Sequence, residues 1–435
     1  MTSQPGAVRP DRTVAETAAA QRHTVSTLVL SQAIGALGIT IGIATASLLA
    51  RDLSGSDSQA GLAQTFQVLG AALFSWLLAR LMARSGRRVG LTTGYLVGAA
   101  GAALAVLAGV LDSMLVLLVG ATLLGANSSA NYAARYAATD LATDQTRGRA
   151  LSIVVWSTTV GAVLGPNLTG PAARLARTLG IPELTGPFAL GALGMLVAAL
   201  VIWVRLRPDP LLLARQLADA ARTSRASEAL AGGAQPDDAE RPTVRAVLRA
   251  RPVIGAAIVG MAAAHAVMVS VMVMTPLHME HGGAALRIIG VVISVHVLGM
   301  FAFSPVVGVA ADRFGRVPVL ATGGVVLLVS LVLCGRAPTG TSPEIFAGLF
   351  LLGLGWSLAT VAAATLVAQE TPLEVRTEVQ GTADLVMSLA AAVGGALSGV
   401  VVAVGSFGLL ALFAALFAAV VLAAAGYAGR RVARG

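Results

Sequence analysis

The sequence predicts an all-α membrane protein of twelve transmembrane helices arranged as two pseudo-symmetric six-helix bundles. Three observations carry that expectation. First, 56% of the 435 residues are hydrophobic and only 12% are charged, about half the charged share of a soluble domain. Second, uncharged apolar runs of about 18 or more residues recur along the chain, each long enough to cross a hydrocarbon core as a helix. Third, the arginines gather on alternate connections. A transmembrane barrel is excluded because its strands alternate polar and apolar positions, and these runs do not.

Taken in order, the apolar runs place spans at 27–50, 59–83, 89–111, 114–139, 150–170 and 187–205. A second set follows at 253–276, 287–310, 318–335, 345–369, 382–403 and 407–428. Charged residues mark their ends: Gly86-Arg87-Arg88 follows the second span, Asp140 closes the fourth, and Glu370 closes the tenth. Residues 1–26 are polar and read as an N-terminal tail, with no cleavable signal peptide expected, and 429–435 as a C-terminal tail.

All 30 basic residues are arginine. With the N-terminus placed inside, the tails and the inner loops hold 24 of them, and the outer loops hold only Arg51, Arg174, Arg177, Arg287 and Arg336. Arg135 falls within a span. That asymmetry predicts two cytoplasmic termini in an inner membrane. It also accounts for the net charge of +9 as a topology signal, so no nucleic-acid partner is expected. The single Cys334 permits no intrachain disulfide.

Residues 206–252 form a polar inner linker holding nine arginines when Arg205 is included. Ala231 to Arg241 is of low complexity and is expected to be partly disordered, whereas Leu211 to Leu230 can form a surface helix. The linker divides the chain into bundles at 27–205 and 253–428. Gly86-Arg87-Arg88 sits 229 residues before Gly315-Arg316-Val317, and Asp140 sits 230 before Glu370. Parallel repeats of this kind place a substrate site between the halves near the midplane.

Residues 308–316 read Gly-Val-Ala-Ala-Asp-Arg-Phe-Gly-Arg. This resembles the G-x-x-x-D-R-x-G-R loop of the major facilitator superfamily, where it acts as a latch between conformations. The resemblance implies latch roles for Gly308, Asp312, Arg313, Gly315 and Arg316. Physically, Gly308 permits close helix approach and Asp312 can accept bonds from a neighbouring helix N-terminus. The first-half copy keeps Arg84, Gly86, Arg87 and Arg88 but has Ala79 and Ala83 in place of the glycine and aspartate. Span five carries Gly161, Gly165, Pro166 and Gly170, which resembles the G-x-x-x-G-P-x-x-G-G motif of facilitator antiporters, with Thr169 where a glycine is usual. A kinked packing helix is the plainer reading of the same residues.

Candidate cavity residues are Gln32 on span one, Asn127, Asn131 and Arg135 at intervals of four on span four, His265 on span seven and His296 on span eight. Lipid penalises such polar groups, so they are expected to line a cavity or another helix, although Arg135 can equally snorkel. Acids within the spans are nearly absent, with Asp384, Asp140 and Glu370 all near inner helix ends, which leaves His265 or His296 as a proton carrier. Met268, Met272, His296 and Met300 offer sulfur and imidazole to a soft ion such as Cu(I). Their four-apart pairs resemble those of bacterial copper importers within the same superfamily.

There is no lysine and no phosphate-binding loop, nor a nucleophile motif, so neither enzymatic activity nor a cofactor is expected. The expected function is movement of a small solute by alternating access, as proton-coupled efflux of an organic compound, with copper import as the alternative. A monomer whose partners are the bilayer and its substrate is expected.

Overall fold

The computed structural model describes residues 10–56, 59, 61–231 and 242–433. Among these the chain is helical, without a strand. The first half comprises α1 (Pro10–Ser54), α2 (Leu62–Leu111), α3 (Met114–Ala137), α4 (Arg147–Leu179) and α5 (Gly186–Arg205). Two short linker helices follow, α6 (Pro210–Ala231) and α7 (Val244–Ala250). The second half holds α8 (Pro252–His281), α9 (Leu286–Phe301), α10 (Ser304–Phe314), α11 (Arg316–Arg336), α12 (Pro343–Glu370), α13 (Arg376–Val404) and α14 (Phe407–Val432).

Twelve crossings emerge from these helices for local reasons. The rod α2 is two spans, turned at Gly86, whose φ of 86° only glycine adopts without strain. Conversely, α9 and α10 are one crossing interrupted at Ala302–Phe303. Pro305 in the first turn of α10 has no N–H to bond the preceding turn. Ser342 and Ser406 cap α12 and α14 by accepting the amides of Ile345 and Leu409.

Two expectations about helix ends need correction. Helix α1 begins at Pro10 rather than near residue 27, and α4 runs past residue 170 to Leu179. Apolar windows locate the lipid-crossing part of a helix, while the Ala-rich stretch before it continues the same backbone hydrogen bonds into water. The linker's α6 covers the segment expected to be a surface helix. Residues 232–241, the core of the stretch expected to be disordered, lie outside the described residues.

Two buried cores form, one within residues 28–206 and one centred on residues 247–428. Tyr136, Leu151 and Val155 of the first half join the second core, so the halves are in contact through α3 and α4. Large apolar side chains such as Leu115, Val306, Leu412 and Leu416 stand on the outer surface. That surface suits hydrocarbon and would be an aggregation liability in water.

Candidate functional site

Several of the polar groups that join the halves lie at the arginine-rich end of the bundle and are placed by helix termini. Arg147 opens α4 and Arg376 opens α13. Asp312, in the last turn of α10, accepts the backbone N–H of Gly148 at 2.9 Å and of Arg149 at 2.8 Å. Its carboxylate thereby satisfies two orphan amides of the α4 N-terminus and faces the positive end of that helix dipole. The close approach depends on Gly308: a Cβ there would stand 2.0 Å from Ser152 Oγ and 2.5 Å from the Gly148 carbonyl. Arg316 bonds Asp312 at 3.3 Å and also the Asp144 carbonyl.

The related crossing of α2 with α13 is built differently. Gly381 meets Ala79 and Ser75 at a distance that leaves no room for a Cβ, and Ala83 supplies no carboxylate. Instead Arg87, 1% exposed, binds Asp140 through Nε at 2.8 Å and Nη2 at 3.2 Å, and Nη2 also donates to Gln380 Oε1 at 2.6 Å. Arg376 approaches Asp140 at 3.9 Å. Asp209 of the linker accepts the Arg88 amide at 2.7 Å, and Arg88 stacks over Trp203. Arg313 and Arg84 are exposed. A further tie crosses the surface from α6, where Arg222 bonds Glu374. Burial works against the Glu374 carboxylate, but the Arg222 hydrogen bond, a backbone hydrogen bond and the charges of Arg222 and Arg376 together hold the group below its usual range. That contact is complete at neutral pH and fades only as pH falls below the ordinary range of a glutamate.

Deeper in the seam, Arg135 Nη2 donates to Asp384 Oδ1 at 2.6 Å, with side chains 4% exposed on each partner. Arg135 also lies against the sulfurs of Met261 and Met387 and over the rings of Tyr132 and Tyr136. Arg135 does not snorkel: it is buried against α13, where it forms an ion pair between the halves. Asp384, set aside as a helix-end acid, is its partner. Thr377, Gln380, Asp384 and Met387 share one face of α13 at helical spacing, a pattern that could have singled it out.

The other predicted cavity residues scatter. Gln32 accepts Tyr95 Oη–H at 2.7 Å and donates to the Asn131 carbonyl at 3.1 Å, which ties it inside the first bundle. Asn127 is fully buried with its Cβ against Gly98 of its own bundle. The reason is angular: residues four apart drift by about 40° on a helix of 3.6 residues per turn. Asn127 and Arg135 therefore face different neighbours.

His265 Nδ1 accepts Trp356 Nε1–H at 2.8 Å, and Trp356 stands edge-on to Phe301 at 5.8 Å between ring centroids. An indole only donates, so neutral His265 carries its proton on Nε2. His296 lies fully buried with Nδ1 2.9 Å from the Leu349 carbonyl. Nδ1 is then the donor, because a carbonyl only accepts.

Both histidines thus turn onto α12, which also corrects the metal-site expectation. Helices α8 and α9 each pack on α12 and scarcely on one another. Met268 and Met272 are consequently not assembled with His296 and Met300 along a shared face. Among the described residues no group of three His, Cys, Asp or Glu could hold a metal. Of the span-five motif, Gly161 is buried and Gly170 is exposed, while the side-chain positions of Gly165 and Pro166 lie outside the described residues.

Two helical bundles meeting at a small-residue helix crossing make a testable family assignment. The model of the Major Facilitator Superfamily matches residues 28–286 and, a second time, 271–434, which together take in both bundles. The chain belongs to the major facilitator superfamily. Among its relatives are two MFS-type transporters of Bacillus subtilis. This facilitator is 33% identical to YddS over 91% of its own length and 88% of that protein, and 34% identical to YdeG over 90% and 88%. It is 29% identical to the riboflavin transporter RfnT of Brucella anthropi over 85% of this chain and 86% of that one. Solved structures agree on the fold. The human organic anion transporter MFSD10 aligns with a TM-score of 0.70 at 16% identity, covering 94% of this chain and 99% of that one. The proton:xylose symporter XylE aligns at 0.69 and 16%, covering 93% and 95%.

Proposed function

We propose that this facilitator exports a small organic solute in exchange for protons, working as a monomer whose arginine-rich face is cytoplasmic. The observation that carries the reading is the Arg135–Asp384 pair. A carboxylate is the one acidic group placed inside the seam at that depth among the described residues, and its counter-ion belongs to the opposite half. Protonation of Asp384 would leave a buried guanidinium without its counter-charge, a state costly by several kcal/mol unless water reaches it. Proton binding thereby favours parting of the seam, which admits cytoplasmic solute, and proton release favours closing.

Support comes from elsewhere in the chain. Several of the polar contacts between the halves described above are at the arginine-rich end, so this conformation is closed toward the cytoplasm. The span-five residues resemble the antiporter motif. The likeness to a riboflavin transporter favours a flat heteroaromatic solute.

A thermal-shift screen of the purified protein tests the substrate class. Riboflavin or related heteroaromatics at 100 times Kd are expected to stabilise it by about 2.7 kcal/mol through mass action, while Cu(I) is expected to leave its melting unchanged. Accumulation of the hit in everted vesicles should then collapse when the proton gradient is dissipated. Accumulation that is indifferent to the gradient would remove proton coupling.

A further inference from the structure

The seam between Asp384 and the arginine-rich surface is polar throughout. Beside Asp384 lies a small internal cavity of about 10 Å³, lined among others by Gln380, Thr377, Arg87, Ser75 and Ser129. That is room for one water molecule. Gln380 Nε2 and Thr377 Oγ1 make no hydrogen bond within the chain, although these residues are only 2% and 1% exposed. A water held there would lie among Gln380, Thr377 and Asp384, which all line the cavity.

From this point the chain of contacts runs outward. Gln380 Oε1 accepts from Arg87, Arg87 holds Asp140 with two bonds, and Asp140 lines a pocket of about 250 Å³ that opens at the surface between Arg147 and Arg376. Arg87 sets a fixed positive charge across the route, and Arg147 and Arg376 flank its mouth. A guanidinium gives up no proton in a protein, and a fixed positive charge across a narrow polar path repels an arriving proton, as it does in water-selective pores.

We propose that the Arg87–Asp140 pair is a proton barrier: it leaves Asp384 and its neighbouring water in contact with each other while denying them exchange with the arginine-rich surface as long as the seam is closed. The inference rests on the proton-coupled reading above and deepens it. An exporter driven by protons must not let its coupling acid equilibrate with the cytoplasm before the halves have moved, or the gradient is lost without transport. The titratable and charged groups facing Asp384 are Arg135, Tyr132 and Tyr136 from α3 and Arg87 from α2. On α8, His265 stands one turn beyond Met261, and Met261 itself lies against Arg135. Arg87 alone among these lies between Asp384 and the surface pocket.

The test needs no substrate. Purified full-length protein is sealed into liposomes with an internal pH dye, and a potassium–valinomycin potential drives protons inward. Wild type is expected to be tight. Arg87→Gln/Asp140→Asn, which removes both charges so that neither is left buried alone, is expected to raise proton entry at least tenfold. Adding Arg135→Leu/Asp384→Leu, which removes the acid without stranding a charge in the seam, should return it to the wild-type rate. Melting and size-exclusion profiles check the fold, and Arg87→Gln alone serves if the double variant does not fold. A tight double variant, or a leak that survives loss of the Arg135–Asp384 pair, overturns the barrier. Neither result touches proton coupling, which is read separately from substrate-driven pH changes in wild-type liposomes.

Discussion

Asp384→Ala is expected to destabilise the protein by about 3–5 kcal/mol, the cost of stranding a buried charge. The Arg135 guanidinium is 4% exposed, and Met261, Met387, Tyr132 and Tyr136 can cushion it but cannot neutralise it. Replacing both partners by leucine is expected to recover most of the loss, because well-packed apolar side chains can substitute for a buried ion pair. Denaturant unfolding of the two single variants and the double variant measures this as a coupling energy. If Asp384→Ala alone stays within about 1 kcal/mol of wild type, the pair is hydrated and cannot be the device that links protonation to opening. Transport should be lost in the double variant even where stability returns, since it has no acid to titrate.

Gly308→Val is expected to prise open the arginine-rich end. Ser152 Oγ can rotate away from the new side chain, but the Gly148 carbonyl, 2.5 Å from the first added carbon, is backbone and cannot. Parting α10 from α4 withdraws Asp312 from the two amides it accepts. Hydrogen bonds to a charged group are worth about 1.5–3 kcal/mol each, enough together to reverse a conformational preference of a few kcal/mol. The measurement is maleimide labelling of Thr377→Cys, at a position 1% exposed in the closed seam. The native Cys334 is fully buried and gives little background. Labelling should speed up at least tenfold in the Gly308→Val background. Asp312→Asn should act in the same direction with a smaller effect. Unchanged labelling would mean that this crossing is not what holds the halves together.

Much of the architecture was legible before any coordinates. Gly308 and Asp312 stand in a motif whose spacing already implies a close helix crossing and a capped helix terminus. The interruption at Gly86, the repeat of Asp140 by Glu370 and a linker helix over Leu211 to Leu230 could all be read from composition and spacing. The seam was not legible in the same way. Arg135 and Asp384 are 249 positions apart, and each taken alone resembles a charge near a helix end. Asn127 shared a spacing pattern with Arg135 and yet faces its own bundle, because four-residue steps rotate steadily around a helix. The Met and His pairs of α8 and α9 looked like one stripe until α12 stood between them.

The amino-acid sequence by itself determined that this chain crosses a membrane twelve times as two related bundles, and that it belongs among facilitators. Those properties depend on hydrocarbon thickness, the period of a helix and the placement of arginine, all of which act over short stretches of chain. Only the tertiary structure decided which buried groups meet: Arg135 with Asp384, Arg87 with Asp140 and Gln380, and both histidines with α12. Pairing across a seam depends on how each helix is rotated about its axis against a partner hundreds of residues away. Packing sets that rotation, and local composition carries almost no trace of it.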